Sequence, residues 1–180
     1  MRRQSLMMFV CILQVLAALP PESQGAESRS QPSAKHEAYV IYSTILQNHW
    51  AMIPKDSKRF FIIDQTYPFG MCLKPDQETL TTVGQAIANY SKMNNKRWTL
   101  KPQFQVTTPY ELIPKRNANQ GLGPDRFPIN FSAVGFNKKK TVAVVGVEYG
   151  TNGSFVMLIK KGGTWQPPEK YGGLVCGWAA

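Results

Sequence analysis

Residues 129–161 read INFSAVGFNKKKTVAVVGVEYGTNGSFVMLIKK. Three runs rich in β-branched and aromatic residues, 129–136, 142–149 and 155–160, are separated by two short polar turns, a pattern that predicts three strands. Asn137-Lys138-Lys139-Lys140 joins the first two, and Thr151-Asn152-Gly153 joins the second pair. Asn-Gly supplies the positive-φ residues that tight hairpins require, so the strands are expected to form an antiparallel meander. The middle strand has no polar face: Val142 and Val144 alternate with Ala143, Val145 and Val147. A strand apolar on both sides is covered on both sides, here with a helix expected on one of them.

The chain before the meander supplies that helix. In 36–50, Ala38, Ile41, Tyr42, Ile45 and Leu46 recur at helical spacing, and Pro54 lies beyond the end. Residues 59–66, with Phe60-Phe61-Ile62-Ile63-Asp64, read as a short strand. Pro75-Asp76 opens a second helix, with Asp76 a suitable N-cap and Leu80, Val83, Ile87 and Tyr90 its apolar stripe, ending near Asn94-Asn95. Residues 103–107 look extended, 110–113 read as strand or turn, and 114–128 as a surface loop rich in Pro, Gly, Asn and Arg. The expected class is α+β: two helices in the amino-terminal half packed on an antiparallel sheet that ends in a three-stranded carboxy-terminal meander.

The amino terminus has the layout of a secretory signal peptide. Arg2 and Arg3 precede an apolar run over 6–19, shorter than the roughly 20 residues that span a bilayer. Pro20 and Pro21 end it, and Ser23-Gln24-Gly25 places small residues at the −3 and −1 positions, so cleavage is expected between Gly25 and Ala26. The chain is then organised as signal peptide (1–25), flexible leader (26–35) and one globular domain (36–180), secreted or periplasmic, with no transmembrane segment in the mature part. Cleavage removes Cys11 and leaves Cys72 and Cys176, which in an oxidising compartment either pair or stay separate thiols.

The net charge is +10, and loss of Arg2, Arg3 and Glu22 leaves about +9. That balance favours an anionic partner or surface. The basic residues are scattered, however. Lys138-Lys139-Lys140 is the longest run and falls in a hairpin turn, so nucleic acid is not the expected partner.

The strings Phe131-Ser132-Ala133-Val134-Gly135-Phe136-Asn137, Thr141-Val142-Ala143-Val144-Val145 and Leu158-Ile159-Lys160-Lys161 with Trp165 resemble a family of secreted bacterial proteins whose activity is not established. Phe61-Ile62-Ile63-Asp64-Gln65-Thr66 is similar to the family's early strand, and Asn94 to Leu100 with Phe104 to its post-helix segment. The resemblance covers most of 36–165 and implies secretion and this fold, with no chemistry. A Gly-Gly-Leu-Cys-Gly-like insert expected between the last two strands is absent; a similar string containing Cys176 sits at the carboxyl end instead, so no role for Cys176 is carried across.

Catalytic candidates are few. His36 and His49, with Glu37 and Lys55, could serve an extracellular nuclease as base and acid, but both histidines lie at the ends of the first helix. Asp64, Glu78, Glu111 and Asp125 show no spacing diagnostic of a glycosidase pair, and Asp64, ending an apolar strand, reads as a turn-bonding carboxylate. Two cysteines without paired histidines make no zinc site, and no cofactor motif is present. Trp50, Trp98, Trp165 and Trp178 read as core or rim packing. Asn89, Asn130 and Asn152 open Asn-x-Ser/Thr triplets that carry meaning only in a eukaryotic secretory pathway. The expected function is a non-enzymatic binding or interaction module; the alternative is a basic extracellular hydrolase of an anionic polymer, a nuclease or a cell-wall enzyme.

Overall fold

A computed structural model describes residues 35–70, 72, 77–117, 127–168 and 174–179. The expected signal segment, the cleavage point between Gly25 and Ala26, and the Pro75-Asp76 helix opening lie outside them. Two helices, α1 (His36–Gln47) and α2 (Gln77–Met93), accompany eight strands: β1 (Phe60–Ile63), β2 (Tyr110–Ile113), β3 (Ile129–Phe131), β4 (Gly135–Phe136), β5 (Val142–Tyr149), β6 (Asn152–Lys161), β7 (Thr164–Gln166) and β8 (Leu174–Ala179). The fold is α+β.

The strands join in one sheet ordered β2-β1-β3-β5-β6-β7, with β4 also on β5 and β8 also on β6. Its centre is the expected meander. β3 and β4 run antiparallel to β5, and β5 pairs with β6 along its full length, with Val144 opposite Met157 and Val145 opposite Val156. The sheet is mixed, not antiparallel throughout, because β1 runs parallel to both β2 and β3. A parallel pairing needs a long crossover, and α2 lies within the one from β1 to β2.

The strand expected over 129–136 is broken in two. At the break, Ser132 N–H donates to the Gly146 carbonyl, and Gly146 N–H donates to Ser132 Oγ at 2.7 Å. A buried hydroxyl thus replaces a backbone acceptor and keeps the β5 ladder satisfied while its neighbour bends away.

Helices cover both faces of β5, one more than expected. Ala143, Val145 and Val147, with Val156 and Leu158 of β6, pack in one cluster with Ala38, Tyr39, Ile41, Tyr42, Ile45 and Leu46 of α1. Val142 and Val144, with Phe155 and Met157, pack in a second cluster with Val83, Ala86 and Tyr90 of α2. Period-two alternation on the strands thus meets a 3.6-residue stripe on each side. Each fully buried Ile or Leu of α1 contributes about 1.5–3 kcal/mol of apolar transfer.

Helix α1 ends three residues before the expected limit. His49 N–H bonds the Leu46 carbonyl and Trp50 N–H the Ile45 carbonyl, and His49 has φ 52°: together these are a Schellman cap with histidine where glycine is usual. Ala51 (φ 60°) and Met52 (φ 64°) continue in left-handed backbone, which costs non-glycine residues about 1–2 kcal/mol each. The segment 103–107 is extended but joins no strand. It docks on α1, with Lys101 N–H on Tyr39 Oη, Gln105 N–H on Ser43 Oγ and Gln47 Nε2 on the Gln105 carbonyl.

Cys72 and Cys176 are bonded, S–S 2.00 Å. The bridge ties the segment before α2 to β8, a strand the sequence pattern does not announce. Trp178 of β8 packs on Phe155 and Phe69 at 5.5 and 5.3 Å. Among the described residues no helix is long and apolar enough to cross a membrane.

Candidate binding groove

Helix α2 turns one line of residues toward β4: Gln85, Ala88, Asn89, Lys92 and Met93 fall at i, i+3, i+4, i+7 and i+8, one face of a helix. The start of α1 faces them with Glu37, Ala38 and Tyr42. Between the helices lies the β4 edge, with Ala133, Val134 and Phe136. The result is a groove of about 500 Å³, within the range typical of small-molecule sites.

Side chains on α2 and just past its end hold that edge in place. Asn89 Oδ1 accepts the Phe136 N–H at 2.9 Å. Asn94 brackets Ala133, accepting from its N–H at 2.9 Å and donating to its carbonyl at 3.0 Å. Two asparagine amides therefore substitute for a missing neighbouring strand, so an irregular edge is buried with its polar groups paired. Gly135 permits the close approach: a Cβ there would lie 2.4 Å from the Ala86 carbonyl oxygen. On the α1 side, Tyr42 Oη donates to the Ser132 carbonyl at 2.8 Å, and burial pushes its phenol pKa up, so the hydroxyl stays a neutral donor.

The groove is chemically graded. Lys35, Glu37, Lys138 and Lys140 gather at the amino-terminal end of α1, where Gln85 Oε1 also accepts the Lys138 N–H. Met93, Trp98 and Ala133 line the other end, with Lys92 at its rim and Trp98 Nε1 bonded to the Met93 carbonyl. From Gln85 to Met93 is about 12 Å of helix rise. The Lys140 ammonium pairs with the Glu37 carboxylate. Among the described residues no carboxylate pairs with Lys35, Lys92 or Lys138. Four lysines thus face one acid.

A larger depression of about 740 Å³ lies at the amino-terminal end of β1. Its charges balance: Lys58 and Arg59 stand with Asp56 and Glu111, and Arg59 pairs with Glu111 at 3.6 Å.

The catalytic candidates do not converge. His36 is exposed at the first turn of α1. His49 caps the other end, about 18 Å of helix rise away. Its Nδ1 lies 2.8 Å from the Pro54 carbonyl and its ring meets the Phe60 edge. Lys55 is exposed in the following turn. Asp64 bonds a turn: Oδ1 accepts the Lys115 N–H at 3.1 Å. Burial raises its carboxyl pKa, while its own amide and Arg116 pull it back. Glu111 lies on β2, whereas the Glu78 side chain and Asp125 lie outside the described residues. Among the described residues no group of three His, Cys, Asp or Glu is placed to hold a metal.

Of the tryptophans, Trp165 is buried against Phe136, Trp178 covers Phe155, and only Trp98 lines the groove. Asn89 belongs to the groove's scaffold, Asn130 bonds Glu148, and Asn152 is exposed. Sequence reasoning missed the groove itself. The signals were present as a polar line along α2 and the lysine run at 138–140, but the second read as a solvated turn.

No family model, no curated protein and no solved structure matches the chain.

Proposed function

We propose that this is a secreted, non-enzymatic binding module whose ligand occupies the groove between α1 and α2. One observation carries the reading: four lysines and one carboxylate surround an apolar floor of Phe136 and Trp98, underlain by the buried Tyr42 and Val134. A concave apolar surface with a few polar groups at its rim is the usual form of a small-molecule site. The positive excess agrees with the net charge of +10 and with an anionic ligand. The Arg2-Arg3 apolar leader and the Cys72–Cys176 bridge both support an oxidising compartment outside the cytoplasm.

Ala88 is exposed on the groove-facing line of α2, so Ala88→Trp fills the groove without entering the core. Ligands that raise the melting temperature of the purified protein are expected to lose that effect in this variant. The hydrolase alternative is tested on the same preparation: a nuclease or cell-wall-lysis signal abolished by His49→Ala and Asp64→Ala in folded protein would overturn the binding reading.

A further inference from the structure

We infer that the ligand is a single-headed amphiphilic anion, a long-chain carboxylate, seated with its head at Lys35, Lys138 and Lys140 and its tail toward Met93 and Trp98. This rests on the groove being the binding site. The first support is the grading. Three of the four groove lysines gather at one end, and the opposite end offers a thioether and an indole, with Lys92 at its rim and Lys96 Nζ 4.4 Å over the indole ring. A polyanion would require cations spaced evenly along its length, whereas one charged head on an apolar tail matches cations concentrated at one end. The second support is Glu37. Its carboxylate already sits on Lys140, bridging the start of α1 to the turn before β5. The protein's own side chain shows that a carboxylate fits at that cation.

The Glu37 and Lys140 side chains retain 33% and 55% of their exposure. Exposed pairs of this kind hold weakly and exchange readily. An incoming carboxylate competes with Glu37 for Lys140 while also reaching Lys35 and Lys138, neither of which has a paired carboxylate among the described residues. Glu37 thus acts as a placeholder that an anionic head displaces and that a neutral molecule leaves in position. Transfer of the alkyl tail from water onto Phe136, Met93 and Trp98 adds the apolar part of the affinity.

The experiment uses isothermal titration of the mature chain with decanoate, decanol and acetate, each below its aggregation concentration. Decanoate is expected to bind one-to-one, with decanol and acetate each at least about ten-fold weaker, the size of one lost charge-assisted hydrogen bond or more. The double variant Lys138→Gln/Lys140→Gln is expected to weaken decanoate about ten-fold or more and leave decanol unchanged. Glu37→Gln is expected to tighten decanoate several-fold by removing the competitor. These residues are surface-exposed or half-exposed, and circular dichroism of each variant verifies folding. Equal binding of decanol and decanoate, or an unchanged or weaker affinity in Glu37→Gln, overturns the assignment. If decanoate fails while another compound binds and is lost in Ala88→Trp, the ligand class is wrong and the groove stands. If no compound responds to Ala88→Trp, the groove reading itself fails. A dimer in sedimentation that Ala88→Trp dissociates identifies a second copy as the occupant and likewise overturns the proposal.

Discussion

Breaking the Cys72–Cys176 bond should cost this domain a large share of its stability. The two cysteines are 104 positions apart, with the second helix and most of the sheet between them. Closing a loop of that length removes chain entropy from the unfolded ensemble worth about 4.7 kcal/mol. On the native side little changes at first, since β8 keeps its pairing with β6 and Trp178 keeps its contacts with Phe155 and Phe69. The loss therefore arises mainly in the unfolded state. Domains of this size are stable by about 5–15 kcal/mol, so the reduced chain is expected to fold, but marginally. With a urea slope of about 2 kcal/mol per molar, the unfolding midpoint should fall by about 2 M. The assay is equilibrium urea unfolding followed by tryptophan fluorescence, for the oxidised chain, the reduced chain and Cys72→Ser/Cys176→Ser. A midpoint shift below about 0.5 M would refute the argument, because it would mean that the unfolded chain gains almost no freedom when the bond opens.

Three further outcomes follow from local geometry. Gly135→Ala drives a methyl group to within 2.4 Å of the Ala86 carbonyl oxygen and 2.5 Å of Tyr90 Cβ, so α2 must move off β4. Such overpacking costs about 1–3 kcal/mol, and a calorimetric melting temperature that does not fall would count against the packing described. Ser154 Oγ is buried on β6 with no hydrogen-bond partner among the described residues. Ser154→Ala should therefore stabilise the protein by about 1 kcal/mol, seen as a raised urea midpoint; a lowered one would show that the hydroxyl is bonded. Burial holds the Asp64 carboxyl above its ordinary pKa, so its contribution to stability is complete below the unfolded pKa and is lost as pH rises through the folded one. Asp64→Asn keeps an acceptor for the Lys115 N–H and should be at least as stable as the native chain at neutral pH, with that advantage vanishing in acid. Denaturant midpoints at the two pH values test this, and a variant that is weaker only at neutral pH would reverse the sign.

Much of the fold is legible in local chemistry. Alternation in residues 142–149 specifies a strand apolar on both faces, and the stripes of Ala38 to Leu46 and Val83 to Tyr90 specify two helices able to cover it. A hairpin between β5 and β6 is expected from Thr151-Asn152-Gly153, but its turn lies earlier: Asn152 and Gly153 already pair with Tyr149 and Glu148, and Gly150-Thr151 makes the turn, with Gly150 at φ 62°. These signals are readable because period and turn chemistry act over a few residues. The parallel pairing of β1 with β2 and β3 is not readable, since it joins 60–63 with 110–113 and with Ile129 through long crossovers. Nor is the break at Ser132, where a side-chain oxygen stands in for a backbone acceptor.

The candidate site divides along the same line. Sequence alone determined the positive excess, the presence of two downstream cysteines able to pair, and the lack of any spacing diagnostic of catalysis. Composition and short-range pattern carry those properties directly. Tertiary structure decided which cations act together. Lys140 meets Glu37 across 103 positions of sequence, and Asn89 on α2 and Asn94 just past its end hold the β4 edge that forms the groove floor. A lysine in a hairpin turn has the same local sequence whether it faces solvent or a carboxylate on a distant helix. Only the packing of α1 and α2 on either side of β4 tells the two apart.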